Sequence, residues 1–324
     1  MTTMSAPSSA LPGRDVLTYF AVFVLLAGGA PVAMRIGYSE LQPFWLGFTR
    51  FGLGAAIFWL LVLGRRVPLP RGRALTGAVL YGALGVGVSF ILLAWGLIKT
   101  PASLTAILLA LVPLITVVLA SLLGAERLTT RRLLGALLAV AGIAVNVGGA
   151  PRGDISIPHV GAILLGTFFL AQSGVIIKIF PPNPPVMTNA VSMTIGALML
   201  GVASLVVRET WVIPSQPGTW VALGYLVVLV SVVAFLSYLR VLQSWSASGA
   251  SYAFVLTPLV TVVVAAMLTG EQIGPAFAVG ALLVLAGVFI GALLPERMKH
   301  GDPHSADMNE DCKDSAGQVA SRCL

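Results

Sequence analysis

One basic side chain stands well inside an apolar run of this chain. Arg50 lies within Pro43–Leu63, roughly 10 Å below the mouth of such a helix at about 1.5 Å per residue. A guanidinium at that depth costs about 2.5 to 3.5 kcal/mol unless it meets water, a partner or the headgroups. It can snorkel or bond carbonyls of a neighbouring helix, or it can dock the anionic group of a solute. Polar and aromatic side chains on other apolar runs could line a pathway with it: Ser89 and Trp95, Gln172 and Ser173, Ser237 and Tyr238, Tyr252 and Thr257. Gln172 is the most telling, because an amide away from water needs a partner. Each of the others is equally suited to bonding a neighbouring helix. No Ser/His/Asp set, His/Glu metal spacing or paired carboxylate falls within an apolar run, so no catalytic residue, metal or cofactor is expected, and the chain does not read as an enzyme.

Composition sets the elements that hold these residues. At 57% hydrophobic and 10% charged, the chain exceeds the balance of a water-soluble domain. Runs long enough to cross a hydrocarbon core occur at Val16–Gly37, Pro43–Leu63, Ala74–Leu97, Ala102–Leu123 and Arg132–Gly149, and then at His159–Phe180, Pro185–Val207, Gly218–Arg240, Ala247–Thr269 and Pro275–Leu294. This predicts an all-α integral membrane protein of ten transmembrane helices, five on each side of a polar link at 150–158. Val16–Gly37 is too long for a signal-peptide core and reads as an uncleaved first span. The polar segments 1–15 and 295–324 read as disordered. Cys312 and Cys323 lie in the second of these, without metal or disulfide spacing, as free thiols. A net charge of +7 does not mark a nucleic-acid binder, because the basic residues are spread between apolar runs.

The two sets of five repeat each other. ASLTAILLALVPLITVVLASLLGAERLTTRRLLGALLAVAGI, from Ala102, returns from Ala247 as ASGASYAFVLTPLVTVVVAAMLTGEQIGPAFAVGALLVLAGV, pairing Pro113 with Pro258, Glu126 with Glu271, Gly135 with Gly280 and Gly142 with Gly287 without a gap. Earlier in each half, Pro43, Gly54 and Ala55 pair with Pro185, Gly196 and Ala197. An odd number of spans per copy makes the second enter the membrane from the opposite side, so the halves, 16–149 and 159–294, form an inverted repeat around a central cavity. Pro113 and Pro258 fall mid-span, where each frees a carbonyl and kinks its helix beside that cavity. Glu126 and Glu271 precede the final helix of their halves and read as helix caps. Gly135, Gly142, Gly280 and Gly287 share one face of that helix and allow close packing.

All twelve carboxylates fall in loops, at helix ends or in terminal segments. An intramembrane carboxylate is the usual proton-coupling and cation-binding group of a transporter, so export of cationic drugs through a buried Glu is disfavoured. With a cytoplasmic N-terminus, and with Arg50 and the tail beyond Lys299 set aside, twelve Lys and Arg residues fall on the cytoplasmic side. Only Arg35, Lys99, Arg152 and Arg208 fall on the other. That bias puts both termini in the cytoplasm. Arg35, Lys99, Lys178 and Arg240 lie near helix ends as interfacial anchors.

The motif ALVPLITVVLASLLGAERLTTRRLLGALLAVAGI, with its echo LTPLVTVVVAAMLTGEQIGPAFAVGALLVLAGV, resembles the EamA-type transporters of the drug/metabolite transporter superfamily. Arg50 in FTRFGLG resembles that family's second-helix Arg followed by an aromatic residue, and the likeness runs from Val16 to Leu294. It implies an inner-membrane carrier with a cavity lined mainly by helices 1, 3, 4, 6, 8 and 9, moving amino acids, other metabolites or drugs, often outward. Ala27 departs from the pattern, since the first helix of the family commonly carries Trp before Gly. The expected activity is secondary transport, as export across the inner membrane, of small amino-acid-like or anionic metabolites by alternating access. A lipid flippase or scramblase of the same fold, or a drug efflux carrier, is the alternative. The expected partners are a small-molecule solute and the lipid bilayer, with no nucleic acid, and the pattern permits a homodimer as well as a monomer.

Overall fold

The computed structural model describes residues 13–100, 105, 108–126, 128–147, 156–269 and 275–294. Within them the helices run α1 (Arg14–Gly37), α2 (Pro43–Gly64), α3 (Arg73–Leu97), α4 (Val112–Leu122), α5 (Thr130–Val147), α6 (Ile157–Ile179), α7 (Pro185–Val206), α8 (Pro217–Ser244), α9 (Ala247–Met267) and α10 (Pro275–Leu293). No strand occurs among the described residues. Eight of these helices are long and apolar enough to cross a membrane, and α4 is a shorter apolar helix. Proline occupies the first turn of α2, α4, α6, α7 and α8, where its missing N–H would have had no partner in any case.

The boundaries differ from the sequence expectation where an apolar run is not the helix. α1 begins at Arg14, with Asp15 in its first turn, because an acidic side chain there favours the helix dipole. α6 begins at Ile157, inside the expected link. Residues 1–12, 150–155 and 295–324, together with Glu271, lie outside the described residues.

Helices of the two halves pack in pairs: α2 along α7, α5 along α10, α1 against α8 and α9, and α3 against α6 and α7. At the α5–α10 contact the backbones touch. A Cβ built on Gly135 would lie 2.6 Å from the Cα of Gly291 and 2.7 Å from the Gly287 carbonyl, and one on Gly142 would lie 2.7 Å from the Gly280 carbonyl. α1 makes a similar approach through Gly28 and Gly29, where Cβ atoms would run into Val260 of α9 and the Tyr225 hydroxyl of α8. Two hydroxyls then tie its backbone, Tyr225 donating to the Leu26 carbonyl at 2.7 Å and Thr261 to the Gly28 carbonyl at 2.6 Å.

Two features escaped the sequence pattern. Both α3 and α8 wind as π-helix in the middle, over Tyr81–Val88 and Tyr225–Ala234, at nearly matching positions of the two halves. Single-turn π-bulges are the usual form and often mark functional sites; these are longer. The repeated prolines are also not alike. Pro258 lies inside its helix, as a kink requires. Pro113 instead sits in the first turn of α4, after a turn at Ala110–Leu111, so it starts a helix and does not bend a continuous one.

Candidate functional site

Arg50 is 4% exposed, held in α2 with its guanidinium between α1, α3 and α8. Its Nε donates to Ser231 Oγ at 2.9 Å, and Nη1 lies 3.9 Å from the Met34 sulfur. The guanidinium carbon stands 4.8 Å from the Phe51 ring centroid and 5.7 Å from that of Phe90, within cation–π range. Nη2 makes no hydrogen bond, and no carboxylate lies within ion-pair distance of Arg50 among the described residues. A guanidinium offers five N–H donors, so most of this one's capacity is unspent.

A cavity of about 240 Å³ lies between Tyr38, Leu41, Gln42, Pro43, Ala94, Leu97 and Ile98. Tyr38 follows Met34 by four residues and Ala94 follows Phe90 by four, and side chains four apart share a helix face. The cavity therefore opens one turn further along α1 and α3 than their contacts with Arg50, while on α2 its Pro43 stands seven residues before Arg50, which is not itself in the cavity wall. Burial pushes the Tyr38 phenol up to about 12, with the Arg50 charge pulling it down and the Glu209 charge pushing it up. Tyr38 is thus a neutral hydroxyl at the cavity wall, within the electrostatic reach of Arg50.

Most of the other expected lining residues are spent elsewhere. Ser89 donates to the Leu84 carbonyl, Ser173 to Leu170, Ser237 to Val233 and Thr257 to Phe254, all within their own helices. Such bonds satisfy a hydroxyl without any solute. Tyr252 is fully buried and donates to the Arg132 carbonyl at 3.0 Å, which makes it a tie between α9 and α5. Trp95 is 39% exposed and stacks on His159 at 4.4 Å, so it turns away from the cavity that its neighbour Ala94 lines. Tyr238 packs between the rings of Phe23 and Phe254 at 4.8 and 5.3 Å. Gln172 keeps a buried Oε1 without a hydrogen-bond partner among the described residues. Asn189, which the sequence did not single out, is fully buried with both amide atoms in the same condition.

The loop carboxylates cap helices, but across the halves. Glu126 accepts the backbone N–H groups of Ala247 and Ser248 and the Ser248 hydroxyl, and pairs with Arg132 at 2.9 Å. The expectation that it caps the helix that follows it is therefore corrected: its oxygens serve the first turn of α9, because α9 begins beside the α4–α5 turn. At the opposite end the exchange is reciprocal. Glu209, after α7, accepts from the N–H groups of Phe44 and Trp45 at 3.1 and 2.7 Å, while Glu40, after α1, accepts from Ser215 and Gln216 ahead of α8. Hydrogen bonds from the Ser215 and Thr219 hydroxyls hold the Glu40 carboxyl down at about 2. Arg240 reaches from α8 to the Tyr19 hydroxyl at 2.8 Å, with its guanidinium over that ring.

Phe90, Met34, Tyr38 and Ser231 complete the Arg50 environment and carry no local signal in the sequence. Ser231 is 181 residues from Arg50 in a run of Val and Leu, and only the repeat could have suggested that the two helices meet.

A family model for the EamA-like transporter family matches residues 16–148 and again 158–292. The chain is 29% identical over 265 residues to YedA of Escherichia coli (strain K12), an uncharacterized inner membrane transporter, covering 78% of this chain and 82% of that protein. It is 28% identical over 248 residues to the uncharacterized transporter YyaM of Bacillus subtilis (strain 168), covering 74% and 81%. A probable terminal-alkyne amino-acid exporter of Streptantibioticus cattleyicolor is 26% identical over 266 residues, covering 80% and 86%. Among solved structures, one crystal structure superposes with a TM-score of 0.76 at 19% identity, over 88% of this chain and 98% of the other, a likeness of fold alone.

Proposed function

Since the chain belongs to the EamA-like transporter family and is a multi-pass membrane transporter, we propose that it is a secondary carrier which exports small carboxylate-bearing metabolites, amino-acid-like or simply anionic, by alternating access. The observation that carries this reading is Arg50, buried without a counter-ion among the described residues and with unspent donors, on helices whose next turns line a cavity. A fixed cation with free N–H groups in a poorly solvated place is a receptor for an oxyanion. The likeness to a probable amino-acid exporter agrees with a carboxylate cargo and outward transport. The cavity is smaller than the about 300–1,000 Å³ of drug-sized sites, which favours metabolites over drug efflux. Lipid translocation is the rival for the same fold.

Alternating access rests on ten spans arranged as inverted repeats, and the contacts between halves support that arrangement. Gly135 meets Gly287 and Gly142 meets Gly280, so each contact becomes the other when the repeat partners are exchanged. Gly54 against Ser231 and Gly196 against Val86 form a second such pair. Contacts that map onto themselves in this way are those of a two-fold axis, and antiparallel partners put that axis across the helices. With both termini in the cytoplasm, the cavity faces the opposite side. Glu126 at the start of α9 and the Arg240–Tyr19 contact then hold the cytoplasmic end closed, and these must part for cargo to enter.

Reconstitution into proteoliposomes with labelled amino acids and organic acids tests the proposal. Protein-dependent flux of a carboxylate solute is expected; flux of fluorescent lipid with none of either solute class would replace carrier by flippase.

A further inference from the structure

Resting on that reading of the Arg50 site, we infer that the preferred cargo is a monocarboxylate with an apolar body and no ammonium group, a keto acid in preference to the amino acid of the same skeleton. The repeat first argues that Arg50 is there for a ligand. Its counterpart in the second half, at the spacing that pairs Gly54 with Gly196, is Ser192. Ser192 is fully buried and lies against Gly82 of α3, so the equivalent packing position is filled without charge. The fold does not need a cation here.

The surroundings then select among carboxylates. One cation neutralises one negative charge, and among the described residues no second basic side chain bonds the partners of the guanidinium, so a dianion would carry an unpaired charge. An ammonium group needs an acceptor of opposite charge or several carbonyls, and burying it without them is costly. Glu209 is engaged by the Phe44 and Trp45 N–H groups and the Ser204 hydroxyl. Glu40 and Glu126 are likewise held by backbone donors. The cavity wall is mainly apolar, through Leu41, Pro43, Ala94, Leu97 and Ile98, and each Å² of apolar cargo it covers favours binding by about 25 cal/mol. Phe51 and Phe90 beside the guanidinium extend that surface.

The test compares skeletons that differ at one carbon. Proteoliposomes holding the full chain are assayed with labelled 4-methyl-2-oxopentanoate against leucine, phenylpyruvate against phenylalanine, and 2-oxoglutarate as the dianion, with a long-chain fatty acid to separate a soluble acid from a lipid-derived one. The keto acids are expected to move at least about tenfold faster than their amino acids, as a difference of about 1.4 kcal/mol gives, with 2-oxoglutarate and the fatty acid slow. Arg50→Gln is expected to abolish the keto-acid flux and Arg50→Lys to retain part of it. Thermal stabilisation of the unaltered protein in detergent by the same solutes reads the preference without any variant, should Arg50→Gln not fold. Flux of leucine equal to or above that of its keto acid, or a faster fatty acid, overturns the inference and leaves a carboxylate carrier standing. Keto-acid flux that survives Arg50→Gln overturns the role of Arg50. No flux of any carboxylate overturns the proposed function itself.

Discussion

The Glu126 carboxylate accepts the backbone N–H of Ala247 at 2.5 Å, so a turn in the first half caps a helix that opens 121 residues later. The bond to Ser248 and the pairing with Arg132 make this one carboxylate a junction of three elements. Glu126→Ala removes all of these partners at a position with 6% side-chain exposure. Loss of hydrogen bonds to a charged group of this kind costs about 1.5–3 kcal/mol. The variant is expected to melt earlier in detergent and to label faster at a cysteine placed at Ser244. An unchanged melting point and labelling rate would show that the junction does not hold the two halves.

Glu40 gives the opposite end a pH dependence. Its carboxyl is held at about 2 against an ordinary 4.5, first by the Ser215 hydroxyl and then by Thr219. A group with a depressed folded value contributes stability that is complete above its unfolded value and fades as pH falls toward the folded one. The advantage of the unaltered protein over Glu40→Gln should therefore be full above pH 4.5 and shrink toward pH 2. The effect is small, since Glu40 is partly exposed and water screens it. Parallel melting curves across that range would refute it.

The α5–α10 contact leaves no room for side chains. Gly142→Val would place atoms inside the 2.7 Å now separating a built Cβ from the Gly280 carbonyl, and overpacking of this kind costs about 1–3 kcal/mol or more. Gly52→Ala on α2, which meets nothing within 4 Å, should be neutral or stabilise by up to about 1 kcal/mol through helix propensity. Comparable melting points for the two variants would contradict the contact.

Trp95 is expected to be dispensable for transport. It is stacked on His159 outside the cavity, so Trp95→Phe should leave the KM for solute unchanged within error while lowering the melting point slightly. A rise in KM of tenfold would return Trp95 to the pathway.

Much of the helical frame was legible because apolar length and charge spacing dictate it: Pro185–Val206 and Pro275–Leu293 fall within a residue of their apolar runs. The candidate site was legible only in part. Arg50 was conspicuous as a cation among apolar residues, whereas Ser89, Ser173, Ser237 and Thr257 looked alike in sequence and prove to be bonded to their own helices. A helix hides its carbonyls from sequence patterns, so a hydroxyl's partner three to five residues back cannot be told from a distant one. Glu126 could be read as a cap from its place before a helix, but the helix it caps depends on which elements lie side by side. The partners of Arg50 follow from the same tertiary adjacency, and Ser231 has no feature that would mark it in a Val-rich run.

If the chain works by alternating access as proposed, the exchange of Arg50 for Ser192 between the copies has a kinetic consequence. A carrier whose two halves were identical would present the same affinity to solute arriving from either compartment. With the only charge of the pair in one half, that equality is lifted, and half-saturation at the two membrane faces becomes free to differ.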